Sequence, residues 1–66
     1  MYTIIAKTKF SKIYWYDFGW SASKKESRIF KDRKSAKNFL KKIVSNDKLL
    51  PRMLHEYELK LLRRNV

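Results

Sequence analysis

Glu58, Leu59 and Lys60 carry the acid-x-Lys spacing with which some nucleases hold a divalent cation and a scissile phosphate. That chemistry needs a second carboxylate on a neighbouring strand to share the Mg²⁺, and Asp17 is the one candidate. An alternation of Glu and Lys along the wet side of an edge strand accounts for the same letters. His55, the sole histidine, stands beside Glu56, but neighbours on a strand point to opposite sides and form no dyad. The absence of cysteine excludes a thiolate metal cage or disulfide framework, and a single glycine leaves no loop to cradle a phosphate. The chain reads as a non-enzymatic protein without a cofactor or metal.

The abundant chemistry is cationic. Seventeen Lys and Arg against six Asp and Glu give 66 residues a formal net charge of +11. The excess is uneven, being +2 over residues 1–22, +7 over 23–48 and +2 over 49–66. Lys24, Lys25 and Arg28 precede a predicted helix whose polar side carries Lys34, Lys37, Lys41 and Lys42, and Lys7, Lys9 and Lys12 lie further upstream. A basic patch of this kind is the electrostatic footprint of a phosphate-binding surface, although a solvated, lysine-rich helix face kept for solubility has the same composition. Lysine outnumbers arginine twelve to five, and arginine is the usual reader of base edges, so only modest sequence specificity is expected.

Aromatic residues make up 15% of the chain and hydrophobic residues 44%, too many for a disordered basic tail. They must supply the core of one small α+β domain spanning residues 1–66, which is marginal in stability unless it self-associates, for example as a homodimer. Residues 2–9 predict a first strand and 12–18, with four aromatics among seven residues, a second. Phe10 and Ser11 leave room for a tight hairpin. A polar loop from Ser21 to Ser27 leads to a short third strand, Arg28 to Lys31. Asp32 is placed to cap a helix over 33–45, whose apolar face is Ala36, Phe39, Leu40, Ile43 and Val44, and Asn46-Asp47 ends it. His55 to Leu62 alternates as a strand, with Tyr57, Leu59 and Leu61 on one side and Glu56, Glu58 and Lys60 on the other. Leu50, Leu54, Tyr57 and Leu61 also fit a second helix starting after Pro51. The unbroken alternation favours the strand, giving an antiparallel sheet packed on one helix in the order β-β-β-α-β.

On the second strand, Ile13, Trp15 and Asp17 share one face and Tyr14, Tyr16 and Phe18 the other. If the latter three join Ile4 and Phe30 under the helix, Trp15 is left exposed among Lys7, Lys9 and Arg28, where a ring among cations suits base stacking. A curled sheet or the C-terminal segment would instead bury Trp15, and exposed Trp, Tyr and Arg are also typical anchors for a protein partner. Trp20, after Gly19, is the tryptophan better placed for that.

From Lys12 to Ile43 the order is aromatic strand, basic loop, short strand ending in Phe30, then a capped helix with Ala36 and Phe39 spaced by three. This resembles the three-stranded-sheet-plus-helix DNA-binding domain at the N-terminus of tyrosine recombinases from phages and conjugative elements. The matching stretch runs from Arg28 through Phe30, Asp32 and Ala36 to Phe39. In that family the sheet enters the major groove, so the resemblance implies contacts from Lys12, Trp15 and Arg28 on strands and Lys24 and Lys25 on the loop. It covers about half the chain; no catalytic domain follows, and the C-terminal segment has no counterpart. In size and lysine content the whole chain also resembles small early proteins of phages infecting low-GC Gram-positive bacteria. Several of those inhibit host enzymes or defence complexes, anti-CRISPR proteins among them.

Two functions are therefore expected in competition. One is a module that contacts DNA or RNA through its lysine patch. The other is a phage-type inhibitor that docks on an acidic or nucleic-acid-handling host protein. No export signal or spanning segment is seen, so the chain reads as a complete small open reading frame acting in the cytoplasm of a bacterium or phage-infected cell, without a membrane partner.

Overall fold

The computed structural model describes residues 1–17, 19–51 and 56–65. Four strands form one antiparallel sheet in the order β3-β2-β1-β4, with β1 at Tyr2–Lys7, β2 at Lys12–Trp15, β3 at Trp20–Ser21 and β4 at Glu58–Arg63. One helix, α1 at Arg33–Ser45, covers one face, so the α+β class and the order β-β-β-α-β hold. Phe18, expected under the helix, lies outside the described residues, as do Leu54 and His55. From Glu58 onward the C-terminal segment is a strand rather than a second helix.

Thr8 builds the first turn. Its N–H donates to the Ser11 carbonyl at 2.8 Å, and its hydroxyl oxygen accepts from the N–H groups of Phe10 and Ser11, both at 3.1 Å. A side chain that satisfies its own turn in this way fixes where the second strand begins. The resulting register sets Lys7 opposite Lys12, Ala6 opposite Ile13 and Ile5 opposite Tyr14. On its other edge β1 pairs with β4 along its whole length, from Tyr2 with Arg63 to Lys7 with Glu58. β1 therefore joins the start of the chain to the last strand, β4.

Paired residues share a face, and this parity decides the core. Ile4 and Ala6 lie with Trp15, Leu59 and Leu61 on the helix side, where Ile4, Trp15, Phe30, Ala36 and Ile43 are buried and Phe39 and Leu40 pack against them. The Trp15 ring meets Trp20 edge-on at 5.5 Å and Phe39 at 5.7 Å, contacts worth about 0.5–1.5 kcal/mol each beyond the area they bury. Tyr14 faces the opposite way. The expected arrangement, with Tyr14 under the helix and Trp15 outside, is thus reversed.

The third strand is also displaced from its expected place. The Tyr16 N–H donates to the Gly19 carbonyl at 3.1 Å, and the turn it closes brings Trp20 opposite Trp15. Arg28 to Lys31 forms no continuous strand. Instead the Arg28 N–H donates to the Trp15 carbonyl at 2.8 Å, while Tyr2 and Phe30 exchange hydrogen bonds of 2.9 and 2.8 Å. The segment fills the gap where β2 peels away from β1.

Before reaching that gap, the chain crosses the face of the sheet opposite α1. Thr3, Ile5 and Tyr14 point to that face and are all buried. The cover includes a 3-10 turn at Lys24–Glu26 and the following Ser27. The Arg64 guanidinium donates to the Lys24 carbonyl and the Ser27 hydroxyl, and the Thr3 hydroxyl donates to the Arg28 carbonyl at 3.2 Å. Both faces of the sheet are therefore dressed, one by a helix and one by a loop.

Candidate nucleic-acid interface

Asp32 starts α1 as its sequence position demands. Its carboxylate accepts from the Ser35 N–H at 2.7 Å, and this bond, with a further one from the Ser35 hydroxyl, holds the Asp32 carboxyl below its ordinary pKa of 3.8. Asn46 ends the helix, donating its N–H to the Ile43 carbonyl. Between these caps the buried Ala36 and Ile43 fix which way the helix faces. Arg33, Lys34, Lys37, Lys41 and Lys42 are consequently all exposed. The helix contains no acidic residue.

Lys34, Lys37 and Lys41 recur at i, i+3 and i+7 and so form one stripe about 10 Å long at ~1.5 Å rise per residue. Arg33, Lys37 and Lys41 stand at successive i, i+4 spacings, where like charges repel. Arg33 and Lys34 also sit at the positive end of the helix dipole. The ion pairs among the described residues are Arg28 with Asp17 and Lys60 with Glu58, so neither draws on a helix cation. Beside the stripe, Leu40 and Val44 lie between Lys37, Lys41 and Ser45 along a shallow groove of about 390 Å³. Val44, expected in the apolar face, is 56% exposed.

The remaining sequence-predicted residues fall elsewhere. Lys24 and Lys25 are exposed on the loop that covers the opposite face. They are therefore separated from the helix stripe by the sheet, and the basic run 23–48 does not make one patch. Lys7 and Lys12 face each other across the first hairpin, and Lys9 stands in its turn. Glu58 lies opposite Lys7 on the β4 side, and also pairs with Lys60 at 3.6 Å.

Three predicted contacts are occupied within the fold. Trp15 is 2% exposed and cannot stack on a base, because the register turns it to the helix side of the sheet, against Phe39 of α1. Trp20 is half-buried, and its indole N–H donates to the Leu49 carbonyl at 2.9 Å, tying β3 to the 3-10 turn Asp47–Leu49. Arg28 donates to Asp17 at 2.8 Å and lies over the rings of Phe30 and Phe39, 5.1 and 5.3 Å from their centroids. Its guanidinium closes the rim of the core. Sequence reasoning had also passed over Phe10, which is 78% exposed at the hairpin turn between Lys9 and Lys12. The signal for it was a large ring inside a turn flanked by lysines.

Among the described residues no group of three or more His, Cys, Asp or Glu could hold a metal ion, and no helix is long and apolar enough to cross a membrane. No protein-family model matches the chain, and no curated protein or solved structure is found to be similar to it.

Proposed function

We propose that this protein is a non-enzymatic nucleic-acid-binding module that works in the cytoplasm and lays the lysine stripe of α1 along a phosphate backbone. One observation carries the reading: five exposed cations on a thirteen-residue helix without a carboxylate, three of them at successive repelling spacings. Such a helix is held together by its caps and its buried face in spite of its surface charge. A polyanion relieves that repulsion. A stripe of about 10 Å matches roughly three phosphates of one strand at ~3.4 Å spacing along a duplex axis. Backbone contact by lysine carries little sequence information, hence modest specificity.

The test is a titration of labelled duplex and single-stranded DNA and RNA between about 50 and 200 mM salt. Three phosphate contacts to duplex predict a fall in affinity of roughly 40-fold over that range. Changing Lys34, Lys37 and Lys41 together to Glu should abolish most of the binding while the domain stays folded. Unchanged affinity in that variant would remove the helix from the interface.

A second reading is favoured by the groove at Leu40 and Val44. Exposed Val44 and half-buried Leu40, bordered by Lys37 and Lys41, also suit an acidic protein surface, as an inhibitor of a host nucleic-acid-handling protein would need. Binding to such a protein that resists added DNA, together with feeble binding to free nucleic acid, would select it.

A further inference from the structure

We infer that the face of the sheet opposite α1 is a second phosphate-binding surface, so that one molecule holds two duplex segments at once, one on each side. The inference rests on the nucleic-acid reading above and adds the number and arrangement of the ligands. Strand parity places the surface. Lys7 and Lys12 stand opposite each other in the register that sets Ile5 opposite Tyr14. Each lies two residues along its strand from that pair and so shares the face to which Ile5 and Tyr14 point. Lys60, opposite Ile5, shares it too. Lys24 and Lys25 are exposed on the 3-10 turn that lies across the same face.

Charge and distance carry the rest. With Lys9 at the hairpin turn, six exposed lysines meet three carboxylates here, those of Glu26, Glu56 and Glu58. Glu56 and Glu58 are gathered on the β4 side, in a cleft with Lys7, Lys9 and Lys60, and Glu58 pairs with Lys60. Glu26 accepts from the Ser21 hydroxyl at 2.9 Å. The ion pairs among the described residues use none of Lys7, Lys12, Lys24 and Lys25. Directly opposed lysines are a repulsive cross-strand pair, and a phosphate shared by Lys7 and Lys12 relieves it. Six against three is a net of +3, smaller than the +5 of α1, so the helix binds first and this face second. The chain measures 19 Å across its thinnest dimension, about two Debye lengths at 0.1 M salt. Each face therefore acts as its own site. A duplex with a persistence length of ~500 Å does not fold round so small a body to reach both, whereas a second segment reaches the far face directly.

The experiment immobilises one duplex on beads, adds protein at about 100 mM salt and measures capture of a second, labelled duplex. Affinity for a single duplex is read in parallel by anisotropy with DNA in excess. The variant is Lys12→Glu with Lys24→Glu and Lys25→Glu, which takes the second face from +3 to −3 and leaves α1 untouched. Its melt should match or exceed the parent's, since Lys12→Glu turns the repulsion with Lys7 into attraction. The same three lysines changed to Gln give a milder variant that should lose part of the capture. Wild type should capture the labelled duplex. The Glu variant should keep its single-duplex affinity within about threefold, the far face being screened, and lose most of the capture. Wild type that binds duplex but captures none, or a Glu variant that captures as well as wild type, overturns the second surface and leaves the helix reading standing. Wild type that binds no duplex overturns both. A Lys34, Lys37, Lys41→Glu variant that binds like wild type, while the second-face variant does not bind, overturns the helix reading and with it the two-sided arrangement. A wild-type dimer in sedimentation that the second-face substitutions dissociate would put each duplex on a separate copy and overturn the inference. Loss of binding to phosphatidylglycerol vesicles in the Glu variant, with duplex capture retained, assigns the face to a lipid surface and overturns it as well.

Discussion

The Arg28 guanidinium donates to the Asp17 carboxylate at 2.8 Å, across the turn in which Asp17 holds a φ of +95°. A side chain other than glycine is strained in that region, and the turn carries β2 into β3. The pair is about 45% exposed, so by itself it contributes only about 0.2–1 kcal/mol. Two effects are therefore superposed at Asp17 and can be separated. Asp17→Gly should be close to neutral, losing the ion pair and relieving the backbone. Asp17→Ala should be about 1 kcal/mol less stable than Asp17→Gly, because it loses the pair and keeps the strain. Urea midpoints of the two variants check the ordering, and equal midpoints would show that the backbone at Asp17 is unstrained.

Asp32 gives the fold an acid-sensitive contact. Its pKa is lowered in the folded state, chiefly by the bond from the Ser35 N–H. A depressed carboxyl contributes stability that is fully present above its unfolded value and is lost as pH falls through the folded one. The window therefore opens near 3.8 and extends downward. Asp32→Asn retains a capping oxygen but does not titrate. The melting temperature of wild type should exceed that of Asp32→Asn at pH 6, and the gap should narrow below pH 3.8. A gap independent of pH would mean that the carboxylate's charge is irrelevant at the cap.

Trp20 and Phe39 test the core. Trp20→Phe keeps a ring beside Trp15 but removes the donor to the Leu49 carbonyl, and should cost about 1–2 kcal/mol. Phe39→Ala removes contacts with Trp15, Phe30 and Arg28 and should cost about 3 kcal/mol, the lower end for this change because the ring is half-buried. In a domain this small that loss leaves little stability. A Phe39→Ala protein with an unchanged, cooperative melt would show that the helix packs elsewhere.

Lys37 sets surface charge against stability within one side chain. It stands four residues from both Arg33 and Lys41, so Lys37→Glu converts two repulsive spacings into attractive ones. Stability should rise by roughly 0.5–1 kcal/mol, or a few degrees in Tm for a domain of this size. Nucleic-acid affinity should fall in the same variant. A stabilised protein that binds as tightly as wild type would place the interface away from α1.

Much of the fold was legible in the sequence because its signals are local. Asp32, the spacing of Ala36, Phe39 and Ile43, and Asn46 define α1 to the residue, and the alternation of Leu59 and Leu61 with Glu58 and Lys60 marks β4. The face assignment failed because it is not local. Which of Trp15 or Tyr14 lies under the helix depends on the hairpin register, and Thr8 sets that register through a four-residue turn lacking an Asn-Gly signature. The aromatics were also divided between an inside and an outside, whereas the loop over Thr3, Ile5 and Tyr14 supplies a second inside. The basic run 23–48 misled for a related reason. Proximity along the chain says nothing about which side of a sheet each part of a crossing segment will occupy.

The pairing of β1 with β4 bears on how the molecule reaches its fold. Residues 2–7 find their partner at 58–63, and Met1 and Arg64 are joined backbone to backbone at 2.7 Å. Such high sequence separation raises the loop-closure entropy of the transition state, which slows folding relative to a helical chain of equal length. During synthesis β1 stays half-partnered until the ribosome has delivered residue 63, leaving an apolar edge open to the wrong neighbour. A circular permutant that links the adjoining ends and opens the chain elsewhere would make that pairing local. It should refold faster than the parent at comparable equilibrium stability.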